Sequence, residues 1–319
     1  MKAGTLALGV ALGFLGCCYD NPALAQSSPG RGGAAKRRML IVHADDAGMS
    51  HSENVATIEA LEKGIATSAS ILVPCPWFGE FAEYARKHPD RDYGVHLTLT
   101  SEWELYRWGP VAPRDQVPSL VDAKGYLWRD NAPVVAHVKL NEAEIELRAQ
   151  IERARQFGVP LSHLDTHMGT LLSRPDLLEL YVNLGIEYNL PIMFTRQASD
   201  PRMESAYPAL RGRGRQLLDA LDRHQLPVLT SMLAFYQDGE YQARKRRYLD
   251  AFGKLPEGVS EVIVHCGVDN AELSAITTSA ALRDSDRRIV TDPEVRAELD
   301  RLGITLTNWK QFHATTRHK

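Results

Sequence analysis

Asp45 and Asp46, His96, Asp165 with His167, Arg196 and His265 combine residue type and placement in a way that could do chemistry. Two imidazoles and a carboxylate converging from separate strands make a facial metal set, with positions left open for water and substrate. A metal held that way lowers the pKa of its bound water towards neutrality and polarises a carbonyl. Each residue also has a plain structural role available. Asp45 and Asp46 could cap the helix that follows, and His96 and His265, inside apolar runs, could be hydrogen-bonded core residues. Taken jointly they favour chemistry: every one of them falls at or just past the C-terminal end of an expected strand, the face that carries the active site in βα folds. His163 and His167 mimic the i, i+4 spacing of a metal pair on a helix. On an extended strand they would lie roughly 13 Å apart. His167, past the strand end, is therefore the better ligand and His163 the structural residue.

The elements that must position these groups alternate along the chain. Met39–Ala44 reads as a buried strand, followed by a helix capped by Ser50 or Ser52 and ended by Gly64. Strands are expected at Thr67–Val73, Tyr93–Leu99, Leu161–Asp165, Pro191–Thr195, Pro227–Ser231, Ser260–Cys266 and Ile304–Thr307. Helices are expected at Phe78–Lys87, Asn141–Phe157, Pro175–Asn189, Tyr241–Phe252 and Pro293–Leu302. Residues 101–138 show weak periodicity and carry Trp103, Trp108 and Trp128; a loop that long inside a compact domain usually serves as a lid or substrate wall. Residues 197–225 read as irregular. About seven strands alternating with helices imply parallel βα units. The expected fold is an α/β (β/α) barrel, distorted or seven-stranded, with an open doubly wound sheet as the alternative.

Composition narrows the classes. With 44% hydrophobic and 24% charged residues over 319 positions, the chain can bury one large core. A net charge of −3 leaves no general nucleic-acid footprint. Asp45-Asp-Ala-Gly48 lacks the glycine spacing of a phosphate loop, which speaks against nucleotide binding. Met1-Lys2, the apolar stretch Thr5–Cys18 and Ala23-Leu-Ala25 read as a cleavable signal peptide over residues 1–25. Export to a periplasmic or extracellular location follows. A lipoprotein signal, with Leu15-Gly-Cys17 as an imperfect lipobox, and an uncleaved anchor are the alternatives. Residues 26–38 then form a Gly-, Ser- and Arg-rich linker, and residues 39–319 a single domain with no integral membrane span. Cys75 and Cys266 remain in the mature chain, either bonded to each other or as two buried thiols.

The stretch Leu40–Val73 resembles the opening of the YdjC-like carbohydrate deacetylases, which include chitooligosaccharide deacetylases and a deacetylase of hopanoid biosynthesis. Their ADDFG-type turn, the Asn eight residues past its second Asp and a later G-x-x-T-S are matched by Asp45-Asp46, Asn54 and Gly64, Thr67 and Ser68. Gly94-Val-His96-Leu-Thr-Leu99 matches the family's G-x-H-x-x-L. Ser162-His-Leu-Asp165-Thr-His167 partly matches its T-H-x-D-S-H-H-H, and His265-Cys-Gly267 looks like its late H-P-G. The chain departs from the pattern at Ala47, Met168-Gly169 and Cys266, which alters the pocket wall.

The resemblance implies a barrel hydrolase holding one divalent ion and removing acetyl groups from N-acetylated sugars or oligosaccharides. By that likeness Asp46, His96 and His167 are the metal ligands, Asp45 the general base and His265 the general acid. Asn54, Asp165 and Arg196 surround them, to touch substrate or orient a catalytic partner. The family is described with magnesium (Mg2+), whereas two imidazoles and a carboxylate suit zinc (Zn2+) or another transition ion by ligand preference. Hydrolysis of another amide or ester on the same site is one alternative. Another is a catalytically silent sugar-binding protein using Trp103, Trp108 and Trp128 as stacking surfaces.

Overall fold

The computed structural model describes residues 37–237 and 240–317. In chain order it contains β1 (Arg38–Ala47), α1 (His51–Lys63), β2 (Ser68–Ile71), α2 (Phe78–Lys87), β3 (Tyr93–Leu97), α3 (Asn131–His137), α4 (Leu140–Gln156) and β4 (Leu161–Thr166). There follow α5 (Pro175–Tyr188), α6 (Pro201–Ala206), α7 (Gly214–Arg223), β5 (Ser231–Ala234), α8 (Tyr241–Gly253) and β6 (Gly258–Val264). The chain then runs through α9 (Ala271–Ile276), α10 (Ala280–Val290), α11 (Pro293–Arg301), β7 (Thr305–Leu306) and α12 (Trp309–Arg317).

The strands are parallel and ordered β4-β3-β2-β1-β6-β5, with the short β7 paired to the start of β1. Between β4 and β5 there is no continuous ladder. The extended segment 191–195 spans that gap by single bridges, Leu164 with Ile192 and Thr195 with Leu229. This is the distorted (β/α) barrel expected, with 191–195 reduced to isolated bridges. β5 begins at Ser231, where the sequence pattern ends its strand. Ile41, Met193, Leu229, Val259, Ile263 and Trp309 fill part of the interior, while the larger core lies between strands and surrounding helices. α2 shows how the helices are held on: Phe78, Phe81, Ala82 and Ala85 recur at helical spacing and are all buried.

The differences from the sequence reading have local causes. The residues expected to be irregular at 197–225 hold α6 and α7; α7 is amphipathic, burying Leu217, Leu218 and Leu221 beside polar neighbours. α9 is only six residues long, and α10 carries strongly charged sequence with few large apolar residues to read. The 101–138 segment ends in α3 and is tied to the helix that follows: Glu146 of α4 accepts hydrogen bonds from the Val111 and Ala112 amides at 2.9 and 2.8 Å. Cys75 and Cys266 are both buried and unbonded. The proposed signal peptide lies outside the described residues. β1 begins at Arg38, the last residue of the stretch read as linker.

Candidate functional site

Parallel strands bring their C-terminal ends to one face, and β1 delivers its two aspartates there by an irregularity. Its register against β2 moves from Ala44 opposite Ala69 to Ala47 opposite Ile71, so one extra residue is accommodated at Asp45-Asp46. In a regular strand adjacent side chains face opposite sides; a bulge re-aims one of them. Asp46 is held at φ 66°, a left-handed conformation few non-glycine residues adopt. The chain then turns through Gly48 at φ 88°, where a side chain would press on the Phe78 backbone at 3.1 Å. Asn54 stabilises this turn, accepting from the Gly48 amide at 2.6 Å and donating to Glu80 and the Trp77 carbonyl. It does so from outside the cavity lining, so of its two expected roles it takes the supporting one, behind the turn that carries Asp46.

Asp46, His96 and His167 form a buried group whose ligand atoms all lie within 4.8 Å of one another. Asp46 Oδ1 is 3.4 Å from His96 Nε2 and 3.3 Å from His167 Nδ1, yet it has no hydrogen-bond partner. An orphaned buried carboxylate oxygen between two imidazole nitrogens suits a shared cation. The far side of each ring is anchored. His96 Nδ1 lies 2.7 Å from Asp165 Oδ1, and His167 Nε2 lies 3.1 Å from both oxygens of Glu102. That carboxylate–histidine arrangement fixes which nitrogen faces the ion. Asp46 Oδ2 takes the Arg283 guanidinium at 2.9 Å, and Arg283 is also bonded to buried Glu53. Two further groups, His43, His163, Asp165 and Asp45, His96, Asp165, are close enough to hold a cation. In both, the facing atoms of Asp165 already bind His43 and His96 at 2.9 and 2.7 Å.

The electrostatics agree with a cation site. Burial opposes charge on Asp46, but Arg283 and the contacts with His167 and His96 outweigh it and hold the carboxyl well below the usual range. Burial likewise disfavours charge on His167; the Glu102 and Asp46 carboxylates prevail and push the ring up to about 9. His96 is raised against its burial by Asp165 and Asp45. The protons these rings attract occupy the place where a divalent ion would balance the same carboxylates.

Asp45 adjoins this group, with Oδ2 3.8 Å from His96 Nε2 and 3.9 Å from His265 Nε2. Burial lowers the pKa of His265, leaving its ring neutral at pH 7. The backbone amide of His265 donates to Asp286 at 3.1 Å, which fixes the end of β6. A cavity of about 170 Å³ opens over these residues. Its polar side holds Asp45, Asp46, His96, Glu102, His167, His265 and Arg283, facing an apolar wall that includes Met193, Met232 and Tyr236.

Arg196 belongs elsewhere. It forms a half-exposed ion pair with Asp222 of α7 at 2.6 Å and does not line the cavity, because the chain leaves the barrel at Thr195 in a 3₁₀ turn. This corrects its expected role in the site. Asp165 sits behind His96, out of the cavity lining. None of Trp103, Trp108 and Trp128 lines the cavity either: Trp103 packs on Trp108, and Trp128 stacks on His137. Sequence reasoning missed Glu102, Arg283 and His43. His43 carried a signal, an imidazole within an apolar strand; Arg283 had none, since no pattern marked α10.

The turn that carries Asp45 and Asp46 thus has a structural reason in the bulge, Gly48 and Asn54. The sequence pattern of one family, described as YdjC-like protein, matches residues 39–301. The chain belongs to that family. Among YdjC-like relatives, a Thermus thermophilus protein named carbohydrate deacetylase is 32% identical over 280 residues, covering 84% of this chain and 91% of the relative. A protein of Thermoanaerobacter pseudethanolicus with the same name is 27% identical over 272 residues, covering 85% and 98%. A crystal structure from Enterococcus faecalis V583 superposes with a TM-score of 0.71 at 27% identity, over 86% of this chain and 98% of that one. Among the described residues of this YdjC-like chain, no helix is long and apolar enough to cross a membrane.

Proposed function

We propose that this protein is a metal-dependent hydrolase that removes acetyl groups from N-acetylated sugars or oligosaccharides. The observation that carries the reading is the orphaned Asp46 Oδ1 between His96 Nε2 and His167 Nδ1, on the wall of a cavity that also exposes Asp45 and His265. The names of its YdjC-like relatives support the sugar substrate. In this reading Asp46, His96 and His167 hold one divalent ion. When bound, such an ion supplies Lewis acidity towards the acetamide carbonyl and an attacking water. Two imidazoles and one carboxylate favour zinc or another transition ion over magnesium.

The remaining steps belong to the protein's own groups. Asp45 Oδ2 faces the cavity and takes the proton of the attacking water as general base. The neutral His265 ring, 3.9 Å from that oxygen, receives the proton and passes it to the departing amine nitrogen. Water thus adds to the carbonyl carbon, the C–N bond breaks, and acetate and a free amino sugar leave. Arg283 keeps Asp46 ionised, so the carboxylate is ready for the ion.

The test is acetate release from diacetylchitobiose and related N-acetyl sugars, by chelator-stripped protein and after adding back zinc, cobalt or magnesium. Metal-restored release is expected. A folded protein that binds an ion but releases no acetate from any of these sugars would transfer the reading to another amide or ester. Absence of ion binding would remove the site.

A further inference from the structure

One buried histidine touches the machinery from below and has no part in the steps above. His43, on β1, is fully buried in the barrel interior. Its Nε2 lies 2.9 Å from Asp165 Oδ2 and 3.1 Å from Asp45 Oδ1. Its Nδ1 lies 2.9 Å from Ser68 Oγ on β2. The hydroxyl proton of Ser68 is committed elsewhere, to Asp92 Oδ1 at 2.7 Å. A serine hydroxyl has one proton, so towards His43 it accepts. Both ring nitrogens of His43 are then donors, and the ring is an imidazolium between two carboxylates. The His163 ring packs edge-on at 5.0 Å, and the buried carboxyl group of Glu261 on β6 lies close enough to act on the charge of the ring.

We propose that His43 is a positioning residue: its Nε2, hydrogen-bonded to Asp165 and paired with Asp45, ties the base to the carboxylate that orients His96. With Oδ1 of Asp45 engaged by His43, Oδ2 is left facing the cavity, His96 and His265. Asp165 divides its two oxygens between His43 and His96. The base and one side of the cation group therefore share a single counter-ion. A base oriented by a third buried group is a general device of activated sites. This inference rests on Asp45 acting as proposed above, and its test separates the two.

The first measurement needs no substrate. In the 15N spectrum of the full chain without added cation, both ring nitrogens of His43 are expected at the shift of protonated nitrogens near pH 7.5. One unprotonated nitrogen would overturn the proposal. The second measurement is kinetic, with diacetylchitobiose. His43→Gln is expected to lower kcat by about 10- to 100-fold, the usual cost of losing such a support. KM and zinc affinity are expected to hold within about twofold, because the bond between Asp165 and His96 survives. A general structural defect would lower kcat and zinc affinity and raise KM together, and that result overturns the proposal.

In an Asp45→Asn background, His43→Gln is expected to add no further loss, since the group it positions is already disabled. Additive losses would refute positioning through Asp45. Ser68→Ala removes the Nδ1 acceptor together with the Ser68 bond to Asp92, and serves where His43→Gln does not fold; it is expected to show the same dependence on Asp45. If the wild type releases no acetate, the functional reading fails, while the nitrogen spectrum still decides how His43 is held.

Discussion

Asp165→Asn is the substitution that most directly tests how the cation group is built. Asp165 is a buried carboxylate between two imidazoles, 2.7 Å from His96 Nδ1 and 2.9 Å from His43 Nε2. Asparagine keeps the volume but offers one acceptor oxygen and an NH2 group, so one of the two rings meets a donor. If the oxygen stays with His96, the loss is that of charge assistance, about half the strength of the bond. If the NH2 faces His96, the ring proton moves to Nε2, the nitrogen 3.4 Å from Asp46, and His96 can no longer bind an ion. Between these limits the expected fall in cation affinity is about 10- to 100-fold. In energy that is about 1.4 to 3 kcal/mol. Calorimetric titration of chelator-stripped protein with zinc, run beside a thermal unfolding curve for each protein, measures both affinity and integrity. A folded Asp165→Asn protein that binds zinc within about twofold of wild type would refute the view that this carboxylate prepares His96.

Two further predictions concern residues that the catalytic reading leaves aside. Glu261 is fully buried with both carboxylate oxygens unpartnered, and burial, aided by Asp45 and Asp165, pushes it up to about 8 against the opposing charge of His43. An acid whose folded pKa is raised carries its proton into the folded state; that contribution is complete below about 4.5 and is lost as pH rises through about 8, at most about 5 kcal/mol in all. The melting temperature of the wild type is therefore expected to fall between pH 5 and pH 9 more steeply than that of Glu261→Gln, and parallel curves would sink the argument. Arg196→Ala removes an exposed ion pair with Asp222, of the kind that contributes about 0–1 kcal/mol. Acetate release by this variant is expected to match wild type, and a large drop in kcat would return Arg196 to the site.

Much of the site was legible because its residues sit where strands end. An apolar run closed by Asp45 and Asp46, a histidine at the end of β3 and another just past β4 are visible in one dimension, since parallel βα units place such positions on one face. Gly94 could be seen as a motif position, and the structure supplies its reason: a Cβ there would come within 2.3 Å of His163 Nε2. The amphipathic α2 and the Ser50 cap of α1 were local signals, and they held. The strand expected at Pro191–Thr195 did not form a ladder, because a short apolar run fixes extended conformation but not continuous pairing with both neighbours.

The amino-acid pattern by itself determined the alternation of strands and helices, the family, and which acids and imidazoles stand at strand ends. Those properties depend on side-chain type and near-neighbour spacing alone. The tertiary structure decided which of them touch. Only the bulge in β1 turns both aspartates to the cavity, and only folding brings Arg283, some 237 positions downstream of Asp46 in the numbering, to 2.9 Å from its carboxylate. It also sent Arg196 out to Asp222 and placed His43 beneath Asp45. Contacts of that separation leave no periodic trace in a sequence, because they are set by how whole strands and helices pack.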